Sequence, residues 1–276
     1  MAYADKVFAD NCRDILTNGM WDTGQTVRAR WDDGTSAHSV KQFALVNRYD
    51  LSREFPALTL RRVAIKSCID EILWIWQKKS NNVNELNTRI WDAWADKNGT
   101  IGKAYGYQMG LRHQYPEGEF DQVDRVLFDL KHNPASRRII TSLYNHADLH
   151  AMHLYPCAYS MTFNVMDGKL NGILNQRSQD FLVANNWNVC QYAVLLIMLA
   201  QVSDLQAGEL VHMIADAHIY DRHVDIVQEL IKKEPRPAPK LIVNPDIRDF
   251  YDFTVDDFVL EGYSPHPFKI KIPIAL

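Results

Sequence analysis

The run AVLLIMLA, residues 193–200, is the longest apolar stretch in the chain. Eight residues are far too few to cross a bilayer, which takes roughly 20 in a helix. The run therefore reads as part of a buried helix, expected over about 188–202, and the rest of the fold has to be arranged around it. The 276 residues are enough to bury well over half of the unfolded surface, so disulfides and metals are not needed to hold the molecule. The four cysteines, Cys12, Cys68, Cys157 and Cys190, are widely spaced with no CxxC pair. That spacing argues against a zinc site or a disulfide framework. A reducing cytoplasm is the expected compartment, and the start MAYADKVFAD lacks the basic-then-apolar order of a signal peptide.

Four further helices are expected. Residues 4–17 place Val7, Phe8, Cys12, Ile15 and Leu16 at helical spacing. Residues 62–79 carry Ile65, Cys68, Ile69, Ile72, Leu73 and Trp76 as one stripe, with Lys66 and Asp70 as an i,i+4 pair outside it. DQVDRVLFDLKHNP repeats the pattern and stops at Asn133-Pro134. The last helix is expected over about 218–233. Strands are expected at 138–144, 159–166, 170–176, 209–215, 240–243 and 268–274, the last from the alternation of Phe268, Ile270, Ile272 and Ile274. KKEPRPAPK, 232–240, is a connector within one unit, because strand-like sequence resumes beyond it. Helices and strands mix without a βαβ rhythm, which predicts an α+β fold with a mixed sheet, in one domain over 1–276.

The net charge of −4 and a pI of about 6.2 exclude a global basic field for DNA or an anionic membrane. Anion binding must come from local arginines. No Walker loop is present; GTIGKAYG lacks its spacing and its hydroxyl.

Within LYPCAYSMTFNV, residues 154–165, Cys157 follows the rigid Pro156 and stands at a strand start. A packed thiol is the ordinary reading of a lone cysteine. Against it stand the neighbouring arginines of SRRII and QRSQD, whose guanidinium charge would raise the thiolate fraction. Arg137 and Arg138 read either as a charged strand edge or as a clamp for phosphate. QRSQD offers Arg177, Ser178 and Asp180 within a few residues. ANNWNV holds three asparagines before the apolar helix; capping accounts for one. The amide of Asn188 suits the O4/N3–H edge of uracil. His218 and Tyr220 in DAHIY suit a sugar hydroxyl. Glu71 reads by spacing as a surface carboxylate; against a pocket, burial would raise its pKa and fit it to relay protons.

Taken in order, VRARWDDGT, DEILWIWQ, IWDAW, AYGYQ, SRRII, LYPCAY, QRSQDFLVANNWNV, DAHIYDRH, EPRPAPKL, EGYSPHP and PIAL make the chain resemble the thymidylate synthases over nearly its whole length. The resemblance implies reductive methylation of dUMP to dTMP with 5,10-methylenetetrahydrofolate as co-substrate, no metal, and a homodimer with its sheets back to back. It implies Cys157 as nucleophile, Glu71 as proton relay and Tyr105 in the same hydrogen-bonded group. Arg28, Arg177 and Ser178 would grip the phosphate, joined by Arg137 and Arg138 from the partner subunit. Asn188 would read the pyrimidine, and His218 and Tyr220 the sugar. Folate would rest on Ile90, Trp91, Leu154 and Trp187, with Asp180 on the pterin and Leu276 closing over it. The chain departs from the commoner pattern at Ala158, where histidine is usual, at Ala184, where glycine is usual, and at Trp187, where phenylalanine is usual. The competing readings are a deoxyuridylate hydroxymethylase on the same scaffold and an inactive homologue that binds nucleotide or RNA.

Overall fold

A computed structural model describes residues 1–276. In chain order the elements are α1 (Tyr3–Asn18), β1 (Met20–Trp21), β2 (Ser39–Asp50), α2 (Ile65–Trp76), α3 (Gly106–Gly110), β3 (His113–Tyr115), β4 (Gly118–Phe120), α4 (Gln122–His132), β5 (Ile140–Ser142), β6 (Ala158–Met166), β7 (Lys169–Gln176), β8 (Gln179–Asp180), α5 (Asn185–Val202), β9 (Gln206–Tyr220), α6 (Val224–Leu230), β10 (Lys240–Val243) and β11 (Phe258–Glu261). The main sheet runs β1-β2-β9-β7-β6-β5, with β8 also paired to β9. It is mixed: β9 is antiparallel to β2 and parallel to β7 and β8. The expected α+β class therefore holds. β3–β4 and β10–β11 form two small antiparallel pairs at the periphery.

The apolar run lies where its composition requires. Along α5, Val189, Cys190, Ala193, Val194, Leu195, Leu196, Leu199 and Ala200 are buried, on every side of the helix. Each such large side chain contributes roughly 1.5–3 kcal/mol when fully buried. Gly172 on β7 lets the helix approach the sheet: a Cβ there would come within 2.9 Å of Met161 Cε and 3.0 Å of Leu196 Cδ1. On its other flank α5 meets α2, whose Trp74 and Trp76 are fully buried. The sheet face toward α5 is closed by Leu170, Leu174, Leu210 and Ile214. Away from this core, Val46 and Met213, paired in register, are exposed apolar side chains, as are Phe43 and Ile140.

Several expectations need correction. The helix expected over 218–233 begins only at Val224; His218 and Tyr220 end β9 instead. No strand forms over 268–274. That segment is an extended tail, with Phe268 and Ile272 packed on the core and Leu276 exchanging two backbone hydrogen bonds with Arg30. The twelve-residue β2 was not foreseen. Ala44 interrupts it at φ 63, and polar Lys41, Gln42, Asn47 and Arg48 break the period-two signal. Asp70 is buried and accepts the Asn87 N–H at 2.7 Å, while Lys66 pairs with Asp256, so the surface pair Lys66–Asp70 does not exist. Glu71 is likewise buried rather than at the surface. No asparagine side chain caps α5; Asn186 instead holds the turn before α2, accepting the Leu58 N–H at 2.9 Å and donating to the Pro56 carbonyl at 2.8 Å. No helix is long and apolar enough to cross a membrane.

Candidate active site

Cys157 lies just before β6, half-buried, while the other three cysteines are fully buried. Its backbone is tied on both sides. The Cys157 N–H donates to Tyr105 Oη at 3.1 Å, and its carbonyl accepts the Arg177 N–H at 3.0 Å. The Arg177 side chain folds back over the turn, donating from Nε to the Pro156 carbonyl at 3.0 Å and from Nη2 to the Tyr155 carbonyl at 2.7 Å. This leaves Nη2 3.8 Å from the Cys157 sulfur. Burial pushes the thiol pKa up; the Arg177 guanidinium, the Tyr105 hydroxyl and Arg28 pull it back toward thiolate.

Tyr105 holds its place under strain. Its backbone sits at φ 47, ψ −108, a region costly for a side-chain-bearing residue. Gly106 follows because a Cβ there would lie 2.1 Å from the Ser80 carbonyl oxygen. The ring packs edge-on to Trp91 with centroids 5.0 Å apart. Strain at this one residue turns the hydroxyl to the Cys157 backbone.

Glu71 and Asn188 belong to one polar line through the core. Gln191 Nε2 donates to Glu71 Oε1 at 2.8 Å, Asn188 Nδ2 to Gln191 Oε1 at 3.0 Å, and Gln176 Nε2 to Asn188 Oδ1 at 3.1 Å. His212 Nε2 closes the line on Gln176 Oε1. Burial raises the Glu71 pKa to about 7, against Gln191 and the indoles of Trp91 and Trp187, which lower it. Those indoles face the carboxyl without completing hydrogen bonds: Glu71 Oε2, Trp91 Nε1 and Trp187 Nε1 are all buried and unpartnered. Three unmatched polar atoms beside an aromatic wall are what a flat, polar-edged ligand would satisfy.

At the end of β9, His218 Nδ1 donates to Asp216 Oδ1 at 2.8 Å and its ring meets Tyr220 edge-on at 5.0 Å. Burial pushes the Tyr220 pKa up to about 12, so it stays a hydroxyl. Asp180 accepts the N–H groups of Leu182 and Val183, both at 3.0 Å. Burial raises its pKa, but His223, His218 and the Val183 N–H more than offset that, and the carboxyl stays ionised. His223 Nε2 in turn donates to the Pro273 carbonyl at 2.8 Å, latching the tail. Arg28 is exposed on the loop between β1 and β2. That loop is held by the Arg30–Leu276 pairing and by Trp31 Nε1 donating to Asp221 at 3.0 Å.

The structure thus gathers Cys157, Tyr105, Glu71, Arg28, Arg177 and Asn188, with Trp91 and Trp187 beside them. Ser178 is half-buried next to Arg177, and Leu154 half-buried just before the cysteine turn. Ile90 is 45% exposed and Leu276 49%. Arg137 and Arg138 lie exposed ahead of β5, and their guanidinium groups make no hydrogen bond or ion pair within the chain. Ala158 is buried at a register shift between β6 and β7, and Ala184 precedes α5. Sequence reasoning passed over Gln191, His212 and His223. The available signal was a glutamine and a histidine in otherwise apolar stretches. A cleft of about 890 Å³ lies elsewhere, beside α1, and is lined by charges such as Arg48 and Glu209 that already pair with each other.

Comparison with known proteins agrees over the full length. The family model described as thymidylate synthase matches residues 6–276. Thymidylate synthase 1 of Bacillus subtilis (strain 168) is 45% identical over 281 residues, covering all of both chains. The thymidylate synthase of Bacillus phage phi3T is also 45% identical with the same coverage. The solved structure of the thermostable thymidylate synthase A from Bacillus subtilis superposes with a TM-score of 0.94 at 44% identity, covering 99% of each chain.

Proposed function

The chain belongs to the thymidylate synthase family, and from that premise we propose that it methylates dUMP to dTMP, with 5,10-methylenetetrahydrofolate supplying the carbon and the hydride and leaving as dihydrofolate. The observation that carries the reading is the Cys157 turn: a half-buried thiol with a guanidinium 3.8 Å away and its backbone tied to Tyr105.

Cys157 is the nucleophile. Its thiolate adds to uracil C6, and the electron pair moves through C5 to O4, making C5 an enolate carbon. Arg177, Arg28 and Ser178 hold the phosphate, and Arg137 and Arg138 reach it from a second subunit; their guanidinium groups are free for that role. The spare N–H of Asn188 stabilises charge at O4. His218 and Tyr220 take the sugar hydroxyl. Glu71, held near neutrality, passes protons at the pyrimidine edge, and Tyr105 fixes the cysteine backbone. The enolate C5 bonds to the methylene carbon of the folate as one of that carbon's two C–N bonds breaks. A base then takes the C5 proton, and the remaining C–N bond breaks as tetrahydrofolate leaves. Hydride returned from it to the exocyclic methylene completes the methyl group and releases the sulfur. Trp91, Trp187, Leu154 and Ile90 would form the wall for the folate, with Asp180 on the pterin and Leu276 at the edge. No metal enters the scheme.

We read the 276 residues as one catalytic domain, supported by one core cluster joining α1 to the C-terminal segment. A homodimer is supported by the exposed apolar sheet residues Phe43, Val46, Ile140 and Met213. A cytoplasmic location fits the free cysteines. The test is release of tritium from [5-³H]dUMP together with the folate product. Dihydrofolate is expected; tetrahydrofolate alone would move the assignment to a hydroxymethylase, and no tritium release from folded protein would leave only nucleotide binding.

A further inference from the structure

We propose that His212, which bonds Gln176 rather than Asn188 itself, is a positioning residue that sets which way round the Asn188 amide faces the pyrimidine, and so determines the preference for uracil over cytosine. The proposal rests on the reading that Asn188 meets the base.

The argument starts from symmetry. An amide offers an oxygen and an NH₂ of nearly the same shape, so packing alone does not orient it. Gln176, Asn188 and Gln191 form an unbroken line of three amides, each donating to the next, from His212 at one end to Glu71 at the other. Turning all three over together preserves both internal links. The polarity of the line is therefore decided only at its ends.

Both ends favour the same sense. An ionised Glu71 can only accept, so Gln191 must present its NH₂ to it; the reverse needs a protonated carboxyl. At the other end His212 is fully buried on β9, and burial lowers its pKa to about 3, so it is neutral with one N–H to place. Its Nε2 faces Gln176 Oε1, while Nδ1 is buried with no partner. With the proton on Nε2, the unmatched atom is a bare nitrogen. Reversal would move the proton to Nδ1 and strand an N–H donor in the core, the rarer and costlier defect. Unlike Glu71, which gains and loses protons near neutrality, His212 gives a vote that does not change through the reaction.

The consequence appears at Asn188. The line uses one lone pair of its oxygen and one of its two N–H groups. One of each remains, acceptor on the Gln176 side and donor on the Gln191 side. That pair matches the N3–H and O4 of uracil. The overturned amide presents the same two groups exchanged, which matches the N3 and N4–H₂ of cytosine.

The test is the ratio of dUMP to dCMP affinity, by calorimetry on the intact enzyme, for the parent protein, His212→Leu and His212→Gln. Leucine removes the donor and should reduce the ratio at least about tenfold. Glutamine can again offer an N–H and should recover the larger part. A parent-like ratio in the leucine variant, or equal loss in both variants, overturns the proposal. A parent protein with no preference for dUMP would instead overturn the reading of Asn188 on which it depends. Should the leucine variant not fold, ¹⁵N spectra of the parent histidines decide: a proton on Nε2 of His212 is expected, and one on Nδ1 overturns the assignment. A purely structural role for His212 would lower thermal stability in both variants without moving the nucleotide ratio.

Discussion

Glu71 has one oxygen bonded to Gln191 and the other bare in the core, and burial takes its pKa from 4.5 to about 7. The sign of the resulting pH effect is fixed. Between those values the folded protein holds a proton that the unfolded chain has lost. The contribution to stability is fully present below pH 4.5 and fades as pH rises through 7. Glu71→Gln should therefore flatten that fall, by up to about 3 kcal/mol, read from denaturant titrations of both proteins across the window. At Cys157, replacement by serine keeps the turn and both backbone bonds but removes the thiol proposed as nucleophile. Turnover should vanish while dUMP affinity changes little; a variant that still releases tritium would contradict the assignment. These two residues also show what a sequence can carry. Cys157 could be picked out because Pro156 precedes it at a strand start and the arginines of SRRII and QRSQD fall on neighbouring candidate strands. Glu71 read as a surface carboxylate, because what buries it, Gln191 and the two indoles, lies many residues away.

Among the elements, α5 was legible because an all-round apolar helix has only one place to go. β2 was not, since Ala44 kinks it and its polar residues lie on a sheet whose outer surface was unknown in advance. The end of β9 was misread as helix because His218 and Tyr220 run directly into the turn before α6. The tail was misread as strand: its alternation reflects Phe268 and Ile272 packing inward, with no neighbouring strand to pair. Between elements, the Tyr105–Gly106 junction concentrates the geometric demand. Gly106→Ala would set a Cβ 2.1 Å from a backbone oxygen that cannot swing aside. It should cost about 3 kcal/mol or more in chemical denaturation and reduce kcat, because Tyr105 would leave the Cys157 N–H. Unchanged kcat with reduced stability would separate Tyr105 from the active group.

At the scale of the whole molecule, the exposed sheet residues and the unpaired Arg137 and Arg138 point the same way. Val46→Lys should shift the protein toward monomer in light scattering and lower activity with it. A stricter test mixes two inactive proteins, Cys157→Ser and the double variant Arg137→Ala/Arg138→Ala. If each site draws arginines from the other subunit, mixed dimers recover activity in one of their two sites; no recovery would place those arginines outside the neighbouring site. The pairing of β2 with β9 has a different consequence. Apart from the two-residue β1, residues 39–50 pair only with residues 206–220. A chain emerging from the ribosome completes the first partner long before the second exists. Until then a long, unsatisfied strand edge stays available to other chains, and closing so large a loop is slow. Refolding yield should therefore fall steeply with protein concentration, and chaperone capture of nascent chains should persist until β9 has been synthesised.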